Sequence, residues 1–223
     1  MKQETIRQNL LHQLARKSLS IARDRAIIAI DGVDGSGKTT LADELAVVIA
    51  AFGRNVVRAS IDGFHHPRER RYLLGRDSSS SGQLQPKSTL VIDGIFLHRD
   101  ELVDSWNMSA FLEVPFSISY QRMAARDGSN PDPHAPANRR YLQGQRLYMR
   151  LCNPYERADV LVDNAELEAP RILREGDRHP DVQWIASSFS RIRWIMELSR
   201  AHRTLETPQP PKPQPANSMT IPS

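Results

Sequence analysis

The feature that most constrains the fold of this 223-residue chain is the stretch from Gly32 to Thr39, which reads Gly-Val-Asp-Gly-Ser-Gly-Lys-Thr. It fits the pattern G-x-x-x-x-G-K-[ST] of a phosphate-binding loop. An apolar run at 26–30 precedes it, and a helical pattern begins at Thr40. A strand before the glycines and a helix after them are the context that such a loop requires, so the sequence predicts an anion site here.

The chemistry of the loop explains its spacing. Glycines allow successive backbone N–H groups to point at phosphate oxygens, and the following helix presents its positive end to the same anion. In such loops the lysine, here Lys38, reaches the β- and γ-phosphates, and the hydroxyl of Thr39 holds Mg²⁺. We therefore expect ATP and Mg²⁺ as ligands, with nucleotide contacts from Gly32, Val33, Asp34, Gly35, Ser36, Gly37, Lys38, Thr39 and Thr40. The alternative is a glycine-rich turn with a solvated lysine.

Length and charge narrow the class of protein. A chain of 223 residues can bury the core of one α/β domain with tails, but not two large domains. The net charge of +4 is compatible with nucleic acid as a partner but does not require one, and we do not expect it. The single cysteine, Cys152, excludes an internal disulfide, and no apolar run approaches 18 residues. We expect a cytoplasmic protein without membrane association, and the sequence leaves a homo-oligomer open.

Apolar periodicity along the chain alternates between strand and helix patterns. Helices are predicted at about 3–23, 38–52, 98–105, 116–126 and 138–152, and strands at 26–30, 55–61, 89–93, 109–114 and 159–163. Strands that alternate with helices in this way indicate a mainly parallel sheet covered by helices on both faces. The predicted fold class is therefore α/β, a three-layer arrangement around the phosphate-binding loop.

The same pass along the sequence divides the chain into four parts. Residues 1–24 are predicted to form a helix that packs on the domain, and residues 25–164 form the nucleotide-binding domain itself. Residues 165–207 form a partly helical extension, with one helix predicted from Val182 to Ala201. Residues 208–223 contain six prolines and predict a disordered tail. Within the domain, residues 62–88 lack periodicity and predict a long irregular connection.

Two aspartates follow predicted strands directly. Asp62 comes after the second strand and Asp93 ends the third, and each precedes a glycine. Because parallel sheets of this type place ligands at the carboxyl ends of their strands, both side chains are expected to face the phosphates. The alternative is that each belongs to an Asp-Gly turn without a chemical role.

These motifs together resemble the uridine kinase group of P-loop kinases, which is related to phosphoribulokinase and pantothenate kinase. The segments that carry the resemblance occur in the family's order and span about residues 25–164; they are 32–40, 62–65, 92–96, 122–127 and 158–162. The resemblance implies an ATP-dependent kinase that phosphorylates a small hydroxyl compound, with the 5′-hydroxyl of a nucleoside such as uridine or cytidine as the expected acceptor.

The resemblance also implies roles for single residues. Asp62 would be the base that takes the proton of the acceptor hydroxyl, and Asp93 would help to organise Mg²⁺ through water. Arg126 and Arg122 match lid arginines that spread the charge of the transferring phosphate, although an arginine on a helix is more often a surface residue. The acceptor pocket would be lined by Phe64, His65 and Tyr141, with simple packing or solvation as the alternative for Phe64 and His65.

One departure from the family leaves two further hypotheses open. Uridine kinases carry a much longer acceptor-binding insertion where this chain has only residues 77–88. The short segment and the proline-rich tail are compatible with an ATP-binding protein that acts in regulation or partner binding, without an acceptor. A nucleic-acid-linked ATPase is a third hypothesis, and it rests only on the mild positive charge.

Overall fold

The computed structural model describes residues 4–21, 24–61 and 87–173, which belong to one compact unit. The helices of this part are α1 (Ile6–Ile21), α2 (Lys38–Ala51), α3 (Phe116–Asp127), α4 (Arg139–Cys152) and α5 (Pro154–Arg157). The strands are β1 (Ala26–Gly32), β2 (Asn55–Ser60), β3 (Ser88–Gly94), β4 (Met108–Glu113), β5 (Val160–Asp163) and β6 (Arg171–Ile172). Two short 3-10 turns lie at Val103–Ser105 and Pro136–Asn138.

All six strands form one sheet in the order β2-β3-β1-β4-β5-β6. The first five are parallel to their neighbours, and β6 runs antiparallel to β5. β1 is central, so Ala29 lies opposite Ile92 of β3 on one side and Ser109 of β4 on the other. Parallel neighbours at the centre of a sheet are buried on both faces, which is why β1 is an unbroken apolar run rather than an alternating one.

A separate hydrophobic core covers each face of the sheet. Leu14 of α1 and Leu45 of α2 pack with Leu112 of β4 in the larger core. Phe111, the neighbour of Leu112, points to the other face and packs with Tyr148 and other residues of the second core. The result is a three-layer α/β fold with a mainly parallel sheet, as the sequence predicts.

Most element bounds agree with the periodicity to within a few residues. α2 ends where the sequence predicts, because Gly53 has a φ of 81° and donates its N–H to the carbonyl of Ala50. The helical structure is also interrupted between α3 and α4, as predicted. There the buried Asn138 donates to the carbonyls of Asn130 and Asp132, which fixes the intervening turns.

The short helix predicted at about 98–105 is wrong. This stretch consists of turns, with only the 3-10 turn at Val103–Ser105. Phe96 has a φ of 65°, and the N–H groups of Leu97 and His98 donate to the side chain of Asp31. Val103 donates to the carbonyl of Arg99 and Ser105 to that of Leu102, so isolated turns form in place of a regular helix.

The remaining predictions on the chain's course lie outside the described residues. They are the irregular connection over most of 62–88 and the helix from Val182 to Ala201. In the part of the chain that the structure describes, no helix has the length and apolar character that a bilayer crossing requires.

The larger core gives a matched test of packing within one helix. Leu45 is fully buried on α2, whereas Val47 on the same helix is 71% exposed. Leu45→Ala is expected to lower the free energy of unfolding by about 2–5 kcal/mol because it leaves a cavity. Val47→Ala is expected to change it by less than about 0.5 kcal/mol. Urea unfolding of both variants measures the difference, and equal losses would contradict the packing described.

Candidate active site

The phosphate-binding loop owes its shape to glycines in conformations that other residues avoid. Gly35 has a φ of 71° and Gly37 a φ of 90°. A Cβ atom on Gly35 would collide with the carbonyl oxygen of Ser119 on α3, and one on Gly37 would lie 2.8 Å from Nδ2 of Asn164. The loop is therefore packed tightly from outside at the points where its backbone turns.

The loop presents backbone donors that the protein itself leaves open. α2 begins after Gly37 without a side-chain cap. In the described part of the chain, the N–H groups of Gly35, Gly37, Thr39 and Thr40 find no acceptor. Because the first turn of a helix normally needs capping groups, an uncapped helix that starts at a glycine loop is suited to bind an anion.

Lys38 lies across this loop. Its side chain is buried, and Nζ donates to the carbonyl oxygen of Val33 at 2.9 Å. The ammonium group is thus held inside the curve of the loop rather than in solvent, in contrast to the solvated lysine of the alternative interpretation. A cation at this position adds its charge to the backbone donors around it.

Thr39 and Asp93, the two residues predicted to organise Mg²⁺, are in direct contact. Oγ1 of Thr39 donates to Oδ2 of Asp93 at 2.7 Å, and Ser60 donates to the same oxygen at 3.3 Å. In the described part of the chain no three His, Cys, Asp or Glu side chains form a metal cluster. One carboxylate beside one hydroxyl fits Mg²⁺, which keeps several waters and takes phosphate oxygens as further ligands.

Arg58 on β2 compensates the charge of Asp93. Its Nη2 lies 2.9 Å from Oδ1 of Asp93, and the guanidinium also contacts Asp43 of α2 at 2.8 Å. Asp93 is completely buried, whereas 22% of the Arg58 side chain is exposed. A buried carboxylate requires such a partner, because an unpaired charge away from water is costly.

A second buried carboxylate, Asp31, anchors the start of the loop. It is the penultimate residue of β1 and is completely inaccessible to solvent. Oδ1 accepts from the N–H of Gly32 at 2.6 Å. Oδ2 accepts from the N–H of Leu97 at 3.0 Å, from Nδ1 of His98 at 2.7 Å, and from the hydroxyl of Tyr148. Sequence reasoning missed this group, although an acid inside an apolar run is a visible signal.

The surroundings of Tyr148 determine the protonation of its phenol. Burial, and next to it the charge of Asp31, raise the pKa of Tyr148 far above its ordinary value. The phenol therefore stays protonated and donates to the carboxylate. Tyr148 also accepts the N–H of His98 at 2.9 Å, so α4 is tied both to the loop and to the turn after β3.

α4 holds the loop at a second point. Gln145, three residues before Tyr148 and therefore on the same helix face, donates from Nε2 to Oδ2 of Asp34 at 3.0 Å. Sequence reasoning did not identify Gln145. The contact joins residues 111 positions apart, which no local pattern can indicate.

The opposite side of the loop is held by the turn after β5. Nδ2 of the buried Asn164 donates to the carbonyl of Ser36 at 2.7 Å. Arg122, a predicted lid arginine, donates in turn to the carbonyls of Asn164 and Ala165 at 3.0 and 2.6 Å. Burial lowers the pKa of Arg122, while Glu166 acts in the opposite direction. Arg122 thus contacts the loop through Asn164 and helps to hold it in place.

Two other predicted site residues, Arg126 and Tyr141, are exposed in the described part of the chain. The side chain of Arg126 is 68% exposed and pairs with the adjacent Asp127 at 2.8 Å. Tyr141, in the first turn of α4, is 64% exposed. Asp62, Phe64 and His65 lie outside the described residues. The described site is therefore the phosphate and metal side of the predicted centre.

Several solved structures resemble the chain. A protein provisionally designated a fructose transport system kinase, from Silicibacter sp. TM1040, is 23% identical with a TM-score of 0.47, over 62% of this chain and 93% of its own. A protein provisionally designated a uridine kinase, from Bacillus stearothermophilus, is 19% identical with a TM-score of 0.46, over 69% and 97%. Shikimate kinase from Bacteroides thetaiotaomicron is 16% identical with a TM-score of 0.41, over 77% and 98%.

No protein-family model matches the chain, and no curated protein does. One of the solved structures carries a uridine kinase designation, the group that the motifs resemble. At these identities the similarity concerns the fold and assigns no substrate to this chain.

Tyr148 and Tyr141 give a matched test of the Asp31 anchor, since both are on α4 but only Tyr148 is buried. Tyr148→Phe removes a hydrogen bond to a charged group and is expected to lower the free energy of unfolding by about 1.5–3 kcal/mol. Tyr141→Phe is expected to have an effect below about 0.5 kcal/mol. Urea unfolding at pH 7 measures both, and an unchanged stability of Tyr148→Phe would refute the anchor.

Arg58 allows a test of the charge balance at Asp93. Arg58→Gln leaves a buried carboxylate without its cation and is expected to cost about 2–4 kcal/mol, less than a fully buried pair because Arg58 is partly exposed. Arg16, an exposed arginine on α1, serves as the control, and Arg16→Gln should change stability by less than about 0.5 kcal/mol. The measurement is again urea unfolding; similar values for the two variants would count against the pairing.

Proposed function

We propose that the protein is an ATP-dependent phosphotransferase that moves the γ-phosphate of ATP to a hydroxyl group of a small molecule. The acceptor that the motif resemblance favours is a nucleoside such as uridine or cytidine, phosphorylated at its 5′-hydroxyl. Mg²⁺ is the accompanying ion.

One observation carries this proposal. Open backbone donors at the start of α2, the buried ammonium of Lys38 and the Thr39–Asp93 hydrogen bond converge on a single loop. Backbone donors and a cation suit a phosphate chain, and a hydroxyl beside a carboxylate suits the ion that accompanies it. A site for phosphate alone would have no use for Asp93, whose charge would repel the anion.

The chemistry assigned to the chain divides between binding and proton transfer. The backbone amides of the loop and Lys38 hold the phosphates and stabilise the charge that develops on them during transfer. Mg²⁺, when bound by Thr39 with help from Asp93, neutralises phosphate charge. The proposed base, Asp62, accepts the proton of the acceptor hydroxyl. The oxygen of that hydroxyl bonds to the γ-phosphorus while the bond from the γ-phosphorus to the leaving ADP breaks.

A phosphotransfer screen tests the proposal. The purified protein is incubated with ATP and Mg²⁺ and a panel of nucleosides, pantothenate and sugars, and products are identified by mass. At least one phosphorylated product is expected. Asp62→Asn should lower kcat by about 10²–10⁴-fold, the usual contribution of a general base. Lys38→Ala should lower kcat/KM by about 10²–10³-fold, because it removes a positive charge that stabilises the transferring phosphate.

Lys17→Ala is the matched control for Lys38→Ala. Lys17 is on α1 and donates to the carbonyl of Asp159, outside the proposed site, so its removal should leave activity within about twofold. If ATP binds but no member of the panel is phosphorylated, the kinase proposal fails. In that case the ATP-binding protein without an acceptor becomes the better description.

A further inference from the structure

Asp34 is an unexpected residue for a loop that binds anions. It occupies the third position of the Gly32–Thr39 loop, between donors that are arranged for phosphate. A carboxylate there repels the same phosphates that the backbone and Lys38 attract. Its presence therefore needs an explanation other than nucleotide binding.

The contacts of Asp34 fix the direction of its carboxylate. Oδ2 accepts a hydrogen bond from the neutral amide of Gln145 at 3.0 Å. No lysine or arginine of the described chain pairs with Asp34, and Oδ1 receives no hydrogen bond there. The side chain is partly exposed. One carboxylate oxygen is thus held in place while the other is free to accept a donor from outside the protein.

Two buried polar groups without partners accompany Asp34. Oε1 of Gln145 and the hydroxyl of Tyr120 have no hydrogen bond in the described part of the chain, although the two residues are only 3% and 1% exposed. The backbone of Ser119, next to Tyr120, packs against Gly35, next to Asp34. Burial raises the pKa of Tyr120, and the charge of Asp34 raises it further, so the phenol stays a donor. Buried polar groups in folded proteins nearly always have a partner, and bound ligands or waters supply the missing ones.

A positive charge, that of Arg146, belongs to the same helix that binds Asp34. The guanidinium carbon of Arg146, the neighbour of Gln145, lies 5.8 Å from the centre of the Phe116 ring. The centre of the Phe116 ring lies in turn 6.4 Å from that of Tyr120, so Arg146, Phe116 and Tyr120 form one cluster. An acidic acceptor would be repelled by Asp34 and a cationic one by Arg146. A neutral molecule that offers several hydroxyl groups avoids both penalties.

We infer that Asp34 binds the acceptor through one of its hydroxyl groups, and that the acceptor is a neutral polyhydroxy compound, such as a nucleoside or a sugar. Gln145 is a positioning residue that orients the carboxylate, and the hydroxyl of Tyr120 supplies a further hydrogen-bond donor. This inference rests on the proposed phosphotransfer function, and it narrows that function by excluding acidic acceptors such as nucleoside monophosphates or shikimate.

Binding measurements separate this inference from the transfer reaction. The protein is loaded with Mg²⁺ and a non-hydrolysable ATP analogue, and calorimetry measures the binding of neutral nucleosides and sugars, nucleoside monophosphates, shikimate and amino sugars. Binding to at least one neutral compound is expected. Asp34→Asn should weaken that binding at least tenfold, while the affinity for the ATP analogue stays equal or rises because a like charge is removed.

Two further variants make the result specific. Gln145→Leu should weaken binding of the acceptor about threefold or more, and by a larger factor than that of the ATP analogue, since it releases the carboxylate while the loop keeps its contacts to Asp31 and Asn164. Asp104→Asn, which removes an exposed carboxylate in the 3-10 turn at Val103–Ser105, should change neither affinity. Circular dichroism and the retained affinity for the ATP analogue check that each variant is folded.

The outcomes are distinguishable. If the wild-type protein binds only acidic or cationic acceptors, or if Asp34→Asn leaves the acceptor affinity within twofold, the inference about Asp34 is wrong even where phosphotransfer is observed. If no neutral compound binds, it is also wrong. If neutral compounds bind through Asp34 but none is phosphorylated by ATP, the inference stands and the proposed kinase activity fails.

Discussion

The buried carboxylate of Asp31 is the constraint on which the site depends. Removal of a charge from water is costly, and here donors from the loop itself, from the turn after β3 and from α4 offset the cost together. Each of these segments is therefore held by the same acid. A phosphate-binding loop must not rearrange when its ligand arrives, because ordering it at that moment would reduce affinity. The anchor at Asp31 provides that order in advance.

The charges on the β3 side of the loop limit what Asp93 can do. One of its oxygens is engaged by Arg58, and the other accepts from Thr39 and Ser60. A carboxylate with both oxygens occupied is poorly placed to bind a metal directly. It can instead orient the hydroxyl of Thr39, which donates its proton to Asp93 and keeps its lone pairs for the ion. This role, which acts through the hydroxyl of Thr39, differs from the water-mediated role that the motif resemblance implies for Asp93.

Sequence reasoning succeeded where the signal was local. Neighbouring residues are enough to indicate the apolar run of β1, the glycines of the loop and the end of α2 at Gly53. Asp93 was selected for the same reason, because it lies near the end of a strand. It failed where contacts are long-range. His98 is 67 residues from Asp31, and Asn164 is 128 from Ser36, so neither contact leaves a periodic trace. The stretch predicted as a helix at 98–105 is likewise tied at its start to the distant Asp31, and it forms isolated turns instead.

Helix α4 contacts both the phosphate-binding loop and Asp34, the residue proposed to bind the acceptor. Tyr148 and Gln145 lie on one face of this helix and hold Asp31 and Asp34, so the helix bonds to the loop at both acids. A displacement of α4 would have to break both contacts or carry the loop with it. The start of the helix is fixed in turn by Asn138, which binds the carbonyls of the preceding turns. An acceptor bound at Asp34 and a phosphate bound by the loop would consequently share one rigid support, which is the condition for holding two reactants in a fixed relation.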